Sequence, residues 1–182
     1  MAIRPVLRMG DSRLNLVAEP IKEFATPELQ DILTDMFDTM EIENGIGIAA
    51  PQINISKRIM IFSVDTNPRY PYAEPIPTTV LINPEITILG PEMDEGWEAC
   101  LSVPGMRGLV PRYLHLKYKG YDFHGNLIER EAHNFHAIVV QHEYDHLNGV
   151  LYPSRIKDLT KFGFEEELQE TVRNYYLKRS LS

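Results

Sequence analysis

Cysteine is nearly absent. Of 182 residues only Cys100 carries a thiol. A lone thiol excludes an intrachain disulfide and points to a reducing compartment, so a cytoplasmic protein is expected. Long apolar runs are also missing. None approaches the ~18 residues of a spanning helix, so no membrane partner is expected. The opening MAIRPVLRMGD lacks an apolar h-region and is not the Arg- and Ser-rich type of transit sequence, so no leader is expected. Positive charge is scarce: 18 Lys and Arg stand against 26 Asp and Glu, a net −8. That balance argues against broad nucleic-acid adhesion, and no specific DNA binding is expected. There is no internal repeat and no low-complexity tract. What is left is an ordinary globular composition, long enough for one domain over 1–182 with a real core.

Within that chain, residues 26–43 predict a helix. Thr26 suits the N-cap, Pro27 the first turn, and Leu29, Leu33, Met36 and Met40 recur at helical spacing up to Asn44-Gly45. RIMIFSV (58–64), TVLIN (79–83), EITIL (85–89) and YLHLKYKGYDF (113–123) read as strands. NPRYPYAEPIP (67–77) reads as a stiff surface connection. A second helix is expected from Asn134, as N-cap, to Asn148, with Gly149 just beyond it. A third is expected over 158–179, with Leu159, Phe162, Leu168, Val172 and Tyr175 inward. Strands followed by a buried helix, with helices at both ends, predict an α+β fold.

The second helix carries the chemistry. QHEYDHLNG (141–149) contains His142-Glu143-x-x-His146. At i and i+4 the two imidazoles lie on one face and can grip one metal ion, while the adjacent Glu acts on a water. The third ligand is open at this stage. One metallopeptidase pattern would place a His at position 152, where Tyr152 stands. Another takes a Glu from a later helix, which keeps Glu165, Glu166 and Glu167 in play. The last candidate is Cys100 in GWEACLSVPG, whose Gly96, Pro104 and Gly105 suggest an irregular segment presenting one side chain. A thiolate with two imidazoles suits Zn²⁺ or Fe²⁺. The corresponding functions are a metallo-endopeptidase, a protein with a structural metal, or a hydrolase of another kind. His115, His124, His133 and His136 show no ligand spacing with a third partner and are read as structural or surface residues.

A third segment, NGIGIAAPQ (44–52), fits G-x-G-x-x-A literally. It follows a helix rather than a strand, which argues against a dinucleotide site. It offers close backbone approach at Gly45 and Gly47 and one amide side chain, Gln52.

Together GIGIAAPQ (45–52), EACLS (98–102) and QHEYDH (141–146) resemble the peptide deformylases, in order and spacing. The resemblance implies a fold of antiparallel sheets packed around a central helix bearing H-E-x-x-H. It implies Cys100, His142 and His146 as ligands of one divalent metal ion, Fe²⁺ in the cell, with Zn²⁺, Ni²⁺ or Co²⁺ as substitutes. Glu143 matches the acid–base, and Gln52 with the Leu101 N–H matches the oxyanion donors. The implied reaction removes the formyl group from N-terminal formyl-methionine of new polypeptides. A transient ribosome contact is implied as well, although the acidic FGFEEELQE segment is ill suited to docking on RNA. Phe135, Ile138 and Val139, one to two turns before His142, offer an apolar slot for methionine, with Ile46 as a further wall. Gly45, Ile46 and Gly47 can pair with an extended peptide. Ala99 stands where the family usually has Gly. If that position required positive φ it would be strained; otherwise its methyl narrows the substrate path. Arg107 and Arg112 are expected in ion pairs rather than on peptide carboxylates.

Overall fold

The computed structural model describes residues 4–64 and 74–180. Among these residues two antiparallel sheets and three α-helices make an α+β fold. Helix α1 (Pro27–Ile42) begins as expected, with Thr26 Oγ1 accepting from the Leu29 N–H. Strands β1 (Gly47–Ala49), β2 (Ile59–Val64), β3 (Ile76–Ile88), β6 (His115–Tyr121) and β7 (Leu127–His133) form one sheet in the order β1-β2-β3-β6-β7. Strands β4 (Met93–Cys100), β5 (Val103–Tyr113) and β8 (Phe162–Phe164) form the other, in the order β4-β5-β8. Helices α2 (Asn134–Leu147) and α3 (Glu165–Ser180) complete the set.

At β2 the first sheet is covered on both faces, which is why that strand is apolar at every step but Ser63. Ile59 and Ile61 pack with Leu29, Leu33 and Met36 of α1. Their neighbours Met60, Phe62 and Val64 pack with Ala137, Val139, Val140 and Leu147 of α2. A strand buried on both faces has no polar alternation to display. Helix α2 also contacts β5, so it touches both sheets.

Several expectations are corrected. TVLIN and EITIL are one strand, β3, whose register shifts between Ile82 and Glu85. Asn83 lies there at φ 51° and its side chain bonds the Ile21 backbone in both directions. The segment around Cys100 is a paired hairpin rather than a loop, with Cys100 opposite Val103 across the Leu101-Ser102 turn, and the expected irregularity survives as a register shift between Glu98 and Cys100. Glycine and proline suggested a loop, but the long cross-strand pairing overrides them. His133, not Asn134, occupies the N-cap of α2 and makes no side-chain cap bond. The last helix starts at Glu165; Leu159 is exposed in a 3-10 turn and Phe162 belongs to β8. Of the expected connection 67–77, residues 67–73 lie outside the described residues, and Ile76 and Pro77 open β3.

Candidate active site

Three separate pieces of chain meet at one cleft. Helix α2 brings His142, Glu143 and His146. The β4–β5 hairpin brings Cys100 and Leu101. The 3-10 turn Ala50–Ile53 after β1 brings Gln52. Ligand atoms of Cys100, His142 and His146 all lie within 4.8 Å of one another, with Cys100 Sγ 3.3 Å from His146 Nε2. Among the described residues the Glu165–Glu167 run joins no such group. Glu165 instead pairs with Arg107, at 2.7 Å, and Glu166 and Glu167 are exposed. Tyr152, where one pattern wanted a histidine, stacks beside the His142 ring, and its hydroxyl donates to the Met106 carbonyl.

The donor set fits a divalent metal. His142 Nδ1 is engaged by Glu98 Oε2 at 2.7 Å, which leaves Nε2 for the metal and fixes the ring. Burial opposes a charge on His142, but the Cys100 sulfur and the Glu98 carboxylate outweigh it and raise its pKa well above the ordinary value. A field that holds a proton so firmly between a sulfur and a carboxylate is one suited to a cation. His146 goes the other way: burial, then His142 and Arg112, lower its pKa well below normal, so it offers a neutral lone pair.

Behind this group lies an ion network that the sequence did not disclose. Burial would raise the Glu98 carboxyl, yet Arg112 and His142 hold it down at about 2. Arg112 bonds Glu98 through Nε and Nη2, at 2.7 and 3.0 Å, and Asp145 through Nη1 at 2.6 Å. Arg155 donates to both Asp145 oxygens and shares Oδ2 with Arg112. Arg107 and Arg112 are both ion-paired, as expected. Glu98 belongs to EACLS, but nothing in that motif's sequence marks it as the partner of His142. The usable signal was chemical: a metal-binding imidazole normally donates its other N–H to a carboxylate.

Glu143 is buried, its Oε2 has no hydrogen-bond partner among the described residues, and burial pushes its pKa up to about 7. Gly47 permits this placement. A Cβ there would meet the Glu143 carboxylate, with Cδ only 2.7 Å away. Gln52 is locked: Oε1 accepts from the Ala49 N–H at 2.8 Å, so Nε2 must face Ser102 Oγ at 3.1 Å and Cys100 Sγ at 3.5 Å.

The cleft encloses about 200 Å³. Gly45, Ile46, Gly47 and Gln52 form one side, and Ala99, Cys100 and Leu101 another. Phe135, Ile138, Val139, His142 and Glu143 line it from α2. His146 is buried behind them. Val139 serves the core and the cleft at once. Ala99 is not among the residues with positive φ, so its methyl costs no left-handed strain and only narrows the cleft. Trp97 and Tyr176 also line it, neither of which the sequence pointed to, and so does Glu165, which lines the cleft without joining the ligand group. β1 is an edge strand, so its outer backbone can receive a further strand.

This chain is similar to known proteins over most of its length. Residues 3–162 match the family model for polypeptide deformylase. Peptide deformylase 2 of Ralstonia nicotianae is 58% identical over 166 residues, covering 91% of this chain and 94% of the relative. Peptide deformylase 1 of Bordetella pertussis is 57% identical over the same shares. Among solved structures, a Met-Ala-Ser-bound class I type b peptide deformylase from Acinetobacter baumannii aligns with a TM-score of 0.82 and 43% identity, covering 85% of this chain and 99% of that one. Gln52, Cys100, Leu101, His142, Glu143 and His146 all lie within the matched span, and the chain belongs to the polypeptide deformylase family.

Proposed function

We infer that this chain, as one catalytic domain over 1–182, hydrolyses the formyl group from N-terminal formyl-methionine of newly made polypeptides and releases formate. The observation that carries the reading is the convergence of Cys100, His142 and His146 within 4.8 Å, beside a buried carboxylate of Glu143. The sheets and their central helix serve to bring those residues together.

Cys100, His142 and His146 hold one divalent ion, Fe²⁺ in the cell, with Zn²⁺, Ni²⁺ or Co²⁺ able to replace it. When bound, such an ion would supply Lewis acidity and lower the pKa of water at the site toward neutrality. Glu143 accepts the proton of the attacking water and returns it to the leaving amine, the two halves of acid–base catalysis. A pKa near 7 suits a group that must do both. The Gln52 Nε2–H and the Leu101 N–H donate to the oxygen that gains charge. Loss of one such donor typically costs ~3–4 kcal/mol of barrier. The peptide lies along the edge of β1 and pairs with Gly45–Gly47, and its methionine fills the slot of Phe135, Ile138 and Val139, with Ile46 and Ala99 at its sides.

The nascent chain is the partner in this scheme. Contact with the ribosome is transient, and the acidic start of α3 does not favour RNA. No helix among the described residues is long and apolar enough to cross a membrane; the proposed location is the cytoplasm.

The test is formate release from a formyl-Met tripeptide, with Glu143→Gln alongside and metal counted in both. Rapid release by the native protein, lost in the variant with metal retained, is the expected result. Equal release by the two would remove Glu143 from the chemistry.

A further inference from the structure

The far edge of the first sheet holds a second group of ligand atoms. β6 and β7 pair so that His115 stands opposite His133, and Glu131 lies two residues before His133 on the same face of β7. Donor atoms of the three side chains all lie within 4.8 Å of one another. His115 Nε2 is 3.0 Å from Glu131 Oε2, and His133 Nε2 is 3.9 Å from the same oxygen. Ligands at ~2.0–2.1 Å around a tetrahedral ion stand about 3.3 Å apart, so the separations bracket what an ion needs. The rings stack at 4.2 Å. They are 34% and 58% exposed, so turning both nitrogens toward one ion costs little packing.

His133 has a further peculiarity. It occupies the N-cap of α2, where Ser, Thr, Asp or Asn would bond a free N–H, and its ring makes no such bond. The side chain is turned instead to His115 and Glu131.

We propose that His115, Glu131 and His133 form a second divalent-cation site, separate from the catalytic one, with three protein ligands and water in its open positions. Two imidazoles and a carboxylate select borderline transition ions such as Zn²⁺ or Ni²⁺ over Mg²⁺ or Ca²⁺. Glu131 brings negative charge to a place where a bare cation would oppose the dipole of α2. The ion ties edge strand β7 to β6 at the point where the catalytic helix begins. Its effect falls on the anchoring of α2 and not on the reacting groups.

The experiment uses nickel-loaded holoenzyme dialysed to equilibrium against zinc at neutral pH, with both metals counted per chain. The expected result is nickel unchanged and one zinc added. His115→Ala, Glu131→Gln and His133→Ala should each weaken that zinc by at least about tenfold, with zinc-free formate release unchanged. Zinc should raise the melting temperature of the native protein and not of the variants, because it binds the folded state alone. Zinc that merely replaces nickel, or extra zinc that persists when His115 and His133 are both Ala, overturns the proposal. Should a variant fail to fold, native zinc-loaded enzyme given one equivalent of Cu²⁺ decides. Spin coupling to two imidazole nitrogens with the zinc fully retained is expected, and coupling to none, or zinc released as the copper binds, overturns it.

Discussion

One sheet ends in two edges, and both carry ligand-bearing chemistry in opposite surroundings. At β1 the sheet borders the cleft of Cys100, His142, His146 and Glu143, where His146 and Glu143 are buried and Cys100 and His142 partly so. At β7, four strand spacings or roughly 19 Å away, His115, Glu131 and His133 stand at the surface. Three donors meet at each edge. The difference is what lies behind them. The inner group is backed by Glu98, Arg112 and Asp145, buried charges that cannot turn to water, with the half-exposed Arg155 closing on Asp145. The outer group is backed by solvent, with Lys117 and Glu129 paired beside it. Ligand identity alone therefore does not set how rigid a site is.

The largest effects should come from breaking the inner support. Arg112→Ala leaves Glu98 and Asp145 buried without their shared partner, and the expected loss is ~3–5 kcal/mol of stability, read by denaturant unfolding. Lys117→Ala at the outer edge removes only an exposed pair with Glu129 and should cost under about 1 kcal/mol. Comparable losses for the two would erase the contrast between the edges.

Gly47→Ala comes next. Its Cβ must push the Glu143 carboxylate aside. A displacement of that size is expected to lower kcat/KM by about 100-fold while metal content stays constant. Retained activity would show that Glu143 need not sit where it does.

The pH profile is a gentler probe. Glu143 acts as a base only when deprotonated, and its carboxyl sits at about 7 with no cation beside it. A bound cation favours the carboxylate, so the acid limb of kcat/KM belongs at or below that pH. On the limb, kcat/KM falls about tenfold per pH unit. A limb above pH 7 would contradict the assignment. Stability follows a different carboxyl. Glu98 has a folded pKa of about 2 against its ordinary 4.5, so its stabilising contribution is complete above pH 4.5 and is lost as pH falls toward 2.

Ala99→Gly should do least. Ala99 has no left-handed strain to relieve, so glycine brings only backbone freedom, a cost of roughly 0.5–1 kcal/mol. KM for formyl-Met peptides should shift only slightly.

Much of this was legible in order along the chain. The Thr26 cap, the period of α1 and the i, i+4 spacing on α2 depend on neighbours in sequence, and each was readable. Cys100 was a candidate but not a choice, because its approach to His146 depends on a hairpin whose Gly and Pro content mimics a loop. The pairing of His115 with His133 was invisible for a related reason: register between β6 and β7 belongs to the turn and to both strands, not to any local pattern. The Glu98–Arg112–Asp145 network spans three elements, so no spacing rule reaches it.

Gly47 contributes missing volume and no functional group. A saturation scan would therefore score position 47 as severely as Glu143, and a reader of that scan alone would look for chemistry at a residue that has none. The same gap narrows the routes to drug resistance. A compound laid along Gly45–Gly47 cannot be evicted by enlarging residue 47, because the added carbon reaches the Glu143 carboxylate as well.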